Sequence, residues 1–99
     1  MNSNISHWSS KEIVDIPKTV IMASDISDGA KITLLYLLTY KGYEGLGVSQ
    51  ARVADDLVKS RQQINRHYLE LERCGYIILI RVKGASSEII FTRKSIPND

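Results

Sequence analysis

The sequence is poor in the residues that would tie it to disulfides, metals or membranes. It has one cysteine, Cys74, in 99 residues, so no internal disulfide can form, and no His or Cys stands near it at metal-ligand spacing. Cys74 reads as a small residue at a helix end. The longest hydrophobic runs, 77–80 and 34–38, fall far below the roughly 20 residues needed to span a bilayer. The N-terminus lacks the basic-then-apolar pattern of a signal peptide, and a cytoplasmic location is expected. Two prolines and six glycines are too few for a low-complexity or disordered chain. A large net charge is also missing, at +2.

Catalytic constellations are absent as well. No Ser/His/Asp set and no phosphate-cradling glycine loop stands out, and Asp55 and Asp56 are consecutive on a helix, so they point different ways. His67 reads as a packed helix residue and His7 lies in an unpatterned arm. The expectation is a protein that is not an enzyme, with no cofactor, no metal and no small-molecule substrate.

What is present is enough for one folded domain. A chain of 99 residues with 43% apolar content suits a single core. Its charge is unevenly spread: residues 57–84 hold six bases (Lys59, Arg61, Arg66, Arg73, Arg81, Lys83) against two acids, and the remainder has seven bases and nine acids. A basic third beside an acidic remainder fits a face that meets a polyanion.

The pattern divides into an N-terminal arm (1–15), a domain (16–94) and a C-terminal tail (95–99). Ile16-Pro17 reads as an extended or turn dipeptide, with a helical turn near residues 19–23. Ser27 is a good N-cap, and Asp28 favours the positive end of a helix over 28–40 that Gly42 stops. Ala30, Thr33, Leu34, Leu37 and Leu38 share one face of it. Val48 suits a very short strand. Ser49 caps a second helix through Val58, with Val53, Ala54 and Leu57 inward. After a tight link, Ser60 opens a third helix ending near Cys74, with Gly75 at the C′ position. Two short helices joined so tightly form a helix-turn-helix. The β-branched segment 76–82, the turn 83–87 and the return 88–92 then form a hairpin.

The run Ser60-Arg61-Gln62-Gln63-Ile64-Asn65-Arg66, followed by Leu71-Glu72 and Gly75-Tyr76-Ile77, resembles the winged helix-turn-helix DNA-binding families. With Ile16-Pro17-Lys18 and residues 27–38 included, the chain is most similar to the helix-turn-helix module of phage and plasmid replication initiators, over roughly residues 16 to 93. It also resembles small winged-helix transcription regulators and partition proteins. Gln63 stands where these families commonly have Thr, and Leu69 where a basic residue often touches phosphate. The resemblance implies an α+β winged helix-turn-helix, three helices followed by a two-stranded wing, that binds double-stranded DNA in replication initiation, partition or transcriptional control. A winged helix serving as a protein-interaction module is the alternative.

At about 100° per residue, Ile64, His67, Tyr68 and Leu71 cluster on the inner side of the third helix, leaving Gln62, Asn65, Arg66, Leu69 and Arg73 outside. Gln62, Asn65 and Arg66 are the candidates for base contact in the major groove, where Arg pairs with guanine and Asn or Gln with adenine. Ser49, Lys59, Ser60, Arg61 and Arg73 are candidates for phosphate contact, and Arg81, Lys83 and Arg93 for contact through the wing. On the first helix, Ile32, Leu35 and Tyr36 point away from its core face. Together with Trp8 of the arm they form a candidate homodimer interface, since contiguous apolar surface rarely stays uncovered.

Overall fold

A computed structural model describes residues 17–39, 49–81, 83–84 and 87–96. Among them four helices, α1 (Lys18–Ile21), α2 (Asp28–Leu38), α3 (Gln50–Leu57) and α4 (Arg61–Arg73), precede two strands, β1 (Ile77–Ile80) and β2 (Glu88–Phe91). The strands pair antiparallel, with Ile77 opposite Phe91 and Ile80 opposite Glu88. The architecture is the α+β winged helix expected from the sequence, with the helical turn near residue 19 realised as the short α1. The arm, Val48 and Gly42 lie outside the described residues.

The helix starts follow local capping chemistry. Ser27 Oγ accepts the Ala30 N–H at 3.2 Å, Ser49 Oγ accepts that of Arg52 at 3.1 Å, and Ser60 Oγ accepts that of Gln63 at 3.1 Å. Each satisfies a backbone donor that has no partner within its helix. At α4 the Gln63 side chain also accepts the Ser60 N–H at 2.9 Å, completing a capping box. Gln63 therefore has a structural task in this position.

Helix α4 is the central element, packed against α2, α3 and β1. Ile64, Tyr68 and Leu71 are fully buried against Ala30, Leu34, Leu37, Val53, Ile77 and Ile89. Ile64 and Leu71 each contribute about 1.5–3 kcal/mol by leaving water. The Tyr68 hydroxyl is buried without a hydrogen-bond partner among the described residues, and burial pushes it up to about 12. In the hairpin the side chains alternate, with Ile77 and Ile89 buried while Ile78, Ile80 and Ile90 face outward.

A polar knot fastens the end of the domain. Asp25 accepts from Tyr76 Oη at 2.7 Å and from Lys94 Nζ at 2.7 Å, and Lys94 also donates to the Cys74 carbonyl at 2.8 Å. These contacts, the Lys94 ammonium first and then the tyrosine, hold the Asp25 carboxyl below its ordinary value. Ser95, at the start of the expected tail, is fully buried and donates to the Tyr76 carbonyl at 2.5 Å. Ile96 packs against the core, so tertiary packing continues past the expected boundary at residue 94.

Candidate nucleic-acid interface

The turn between α3 and α4 is set by the backbone. The Lys59 N–H reaches the Ala54 carbonyl at 2.9 Å and the Val58 N–H reaches that of Asp55 at 3.3 Å, the paired bonds of a Schellman ending. The residue at its left-handed position is Val58, at φ 55 and ψ 52. A second Schellman ending closes α4, where Tyr76 N–H meets the Leu71 carbonyl at 2.9 Å and Gly75 takes φ 85. The first ending lets Ser60 start α4 at once and aims its N-terminal turn away from the core. Lys59, Ser60 and Arg61 are all exposed there.

Gln62, Asn65, Arg66, Leu69 and Arg73 are exposed on α4, opposite the buried Ile64, Tyr68 and Leu71. The helix's two acids are engaged elsewhere. Glu70 turns toward α2 and accepts from the Ser27 N–H at 2.6 Å and the Ser27 hydroxyl at 2.9 Å. Glu72 accepts from both terminal nitrogens of Arg81, at 3.3 and 3.4 Å. The exposed N-terminal half of α4 thus presents amides and the guanidinium groups of Arg61 and Arg66 with no carboxylate among them.

Gln50, the first residue of α3, was not a candidate from the sequence. Its Nε2 donates to Asn65 Oδ1 at 3.3 Å, which joins α3 to the outer face of α4. No local pattern marks a contact between side chains 15 positions apart; only its place directly after a helix cap hinted that it stands near α4. Ser49 and Ser60 use their oxygens as cap acceptors, which leaves each hydroxyl proton available to donate to a phosphate.

The wing candidates separate. Lys83 is exposed at the hairpin turn beside Gly84, which takes φ 78. Arg81 directly follows β1 and is held on Glu72. Arg93 stands two residues after Phe91, the last of β2, and so sits at the base of the hairpin, beside the Thr92 contact to the Gly75 carbonyl at 2.6 Å. The structure does not bring Arg93 together with Lys83.

Of the candidate interface residues, Ile32 is 51% exposed. Leu35 and Tyr36 are half-buried against the domain's own core, and the Tyr36 hydroxyl donates to Asp56. That hydrogen bond, followed by the Arg52 contact, outweighs burial and holds the Asp56 carboxyl below its ordinary value. Trp8 lies outside the described residues.

The family model of a helix-turn-helix domain matches residues 24–77, just over half of the chain, from the segment before α2 to the first residue of β1. The chain belongs to this helix-turn-helix family. Neither the curated proteins nor the solved structures provide a match. The helix-turn-helix is formed by α3, the turn at 58–60 and α4, and the hairpin behind it makes the domain winged. A helix-turn-helix domain points to DNA as partner in general. Among the described residues no helix is long and apolar enough to cross a membrane, and no cluster of His, Cys, Asp and Glu is placed to hold a metal ion.

Proposed function

We propose that this helix-turn-helix protein binds double-stranded DNA in a sequence-dependent way, with α4 in the major groove and the wing on the backbone or in the minor groove. The observation that carries the proposal is the outer face of α4. Gln62, Asn65 and Arg66 are exposed, while Glu70 and Glu72 are turned onto Ser27 and Arg81. Among the described residues no hydrogen bond or ion pair engages the side chain of Gln62 or Arg66, and these side-chain types match base edges in the major groove. Lys59, Arg61 and the hydroxyls of Ser49 and Ser60 stand beside helix N-termini, where phosphates are favoured, with Arg73 further along α4.

The resemblance to phage and plasmid replication initiators supports a role in replication initiation, partition or transcriptional control of a mobile element. A homodimer formed through the α2 face around Ile32 would pair two copies of α4 in successive major grooves, about 34 Å apart.

A mobility-shift titration with duplex selected from a random pool tests the proposal at two salt concentrations. Binding through six or more phosphates should fall roughly 1,000-fold between about 50 and 200 mM salt. Absence of binding, or affinity indifferent to salt and sequence, would favour a protein-interaction module.

A further inference from the structure

We infer that Gln50 is a specificity-determining positioning residue, which fixes the orientation of the Asn65 amide and thereby the kind of base edge Asn65 reads. The inference rests on the DNA-reading role proposed for α4.

Asn65 stands on the exposed face of α4, one position before Arg66. An exposed asparagine amide is free to turn about its last side-chain torsion, which is broad and nearly two-fold, so by itself it offers a base either its oxygen or its NH2. The Gln50 contact removes that symmetry. Its Nε2 donates to Asn65 Oδ1 at 3.3 Å, and the oxygen is drawn toward α3. The Asn65 NH2, bonded to the same carbon as that oxygen, is turned to the opposite side, away from Gln50. Gln50 can hold this position because its own backbone is fixed directly behind the Ser49 cap and its side chain is half-buried. The two helices are locked together by Val53, Ala54 and Ile64 in the core.

An asparagine held with NH2 outward is a donor. In the major groove it suits acceptor atoms, N7 of either purine, O6 of guanine or O4 of thymine, and it is a poor partner for the N4 amine of cytosine. The selected site should therefore exclude cytosine at the base that Asn65 meets and favour guanine, which offers two acceptors. Gln50→Glu replaces the donor by a carboxylate, which accepts only. The carboxylate draws the Asn65 NH2 toward itself and turns Oδ1 outward, so the preference should invert toward cytosine, which offers a donor and no acceptor. Gln50→Ala frees the amide and should flatten the preference. Each change is confined to one base pair and amounts to about a tenfold change in discrimination.

The test is site selection from a random duplex pool, followed by competition titrations, with wild type, Gln50→Ala, Gln50→Glu, Asn65→Ala and the Gln50→Glu/Asn65→Ala double variant. Thermal unfolding of each reports folding separately. Inversion by Gln50→Glu at a position that Asn65→Ala levels, and loss of that inversion in the double variant, is the expected result. A wild type that selects a site, with Asn65→Ala levelling one position and both Gln50 variants leaving it unchanged, overturns the inference while the α4 reading stands. An inversion that persists without Asn65 overturns it too, since Gln50 then touches the base directly. A wild type that selects no site removes the α4 reading and this inference together.

Discussion

Glu70 receives both the backbone N–H and the hydroxyl of Ser27, at 2.6 and 2.9 Å, so a carboxylate on α4 closes the N-terminus of α2 from 43 positions away. Ser27 Oγ in turn caps Ala30. The charge sits where the positive end of α2 favours it, and it couples two helices that the core also packs together.

The first prediction concerns acid stability. Burial pushes the Glu70 carboxyl up, and the two Ser27 hydrogen bonds together with the His67 and Arg73 charges outweigh it, so its pKa lies below the ordinary 4.5. A carboxyl depressed on folding contributes stability that is complete above its unfolded pKa and is lost as pH falls through the folded one. Urea midpoints of wild type should hold near neutrality and decline once the pH drops below about 4.5. Glu70→Gln should be less stable at neutral pH by about 1 kcal/mol, with a shallower acid slope. Asp25 and Asp56, both depressed, supply what slope remains. An unchanged slope would show that the Ser27 contacts do not stabilise the charge.

Gly29 is required by His67. A Cβ at Gly29 would stand 2.4 Å from His67 Nε2 and 2.5 Å from Cε1, so alanine forces the half-buried imidazole to move. Gly29→Ala should destabilise by about 1–3 kcal/mol, although alanine is intrinsically the better helix former by up to about 1 kcal/mol. The Gly29→Ala/His67→Ala pair should recover most of that loss. Additive effects in chemical denaturation would mean that the ring has room to turn away.

At Val58 a β-branched residue that is 87% exposed occupies the left-handed region at φ 55. That conformation costs an L-residue about 1–2 kcal/mol, against the smaller entropy loss that glycine brings, roughly 0.5–1 kcal/mol. Val58→Gly should stabilise the fold by a net ~0.5 kcal/mol, read as a higher urea midpoint with an unchanged m-value. A lower midpoint would assign the valine side chain a stabilising contact.

Base reading and backbone binding should separate by mutation. Arg66→Ala should leave folding intact and relax preference at one base pair by about 1–3 kcal/mol. Lys83→Ala should weaken all duplexes alike and reduce the salt slope by about one. Arg81→Ala should combine a loss of affinity with lower stability, because its guanidinium also holds Glu72. Selective loss at Lys83 would show that the wing reads bases.

The homodimer is tested at Ile32, which is 51% exposed. Sedimentation equilibrium at micromolar concentration should give a dimer for wild type and a monomer for Ile32→Glu. This variant is a cleaner probe than one at Leu35, which already packs on its own core. A monomeric wild type would remove the interface, and a dimeric Ile32→Glu would move it elsewhere.

The sequence alone determined the order of elements, because each start is a local event: Ser27, Ser49 and Ser60 bond to backbone within three residues, and Gly75 supplies the left-handed ending that few other residues take. It also determined which face of α4 is buried, since the spacing of Ile64, Tyr68 and Leu71 is a property of the helix repeat. What only the tertiary structure decided are contacts between residues distant in the chain. The Glu70 hold on Ser27, the Arg81 hold on Glu72, the Tyr36 hydroxyl on Asp56 and the Gln50 link to Asn65 all depend on how helices and strands are set against one another. Helical periodicity tells which side chains face outward, but side-chain reach and the angle between packed helices decide which of those are then claimed by a neighbour. For that reason Arg81 reads as a wing contact and Tyr36 as an interface residue from their spacing, and Gln50 carried only its place after the Ser49 cap until α3 was laid against α4.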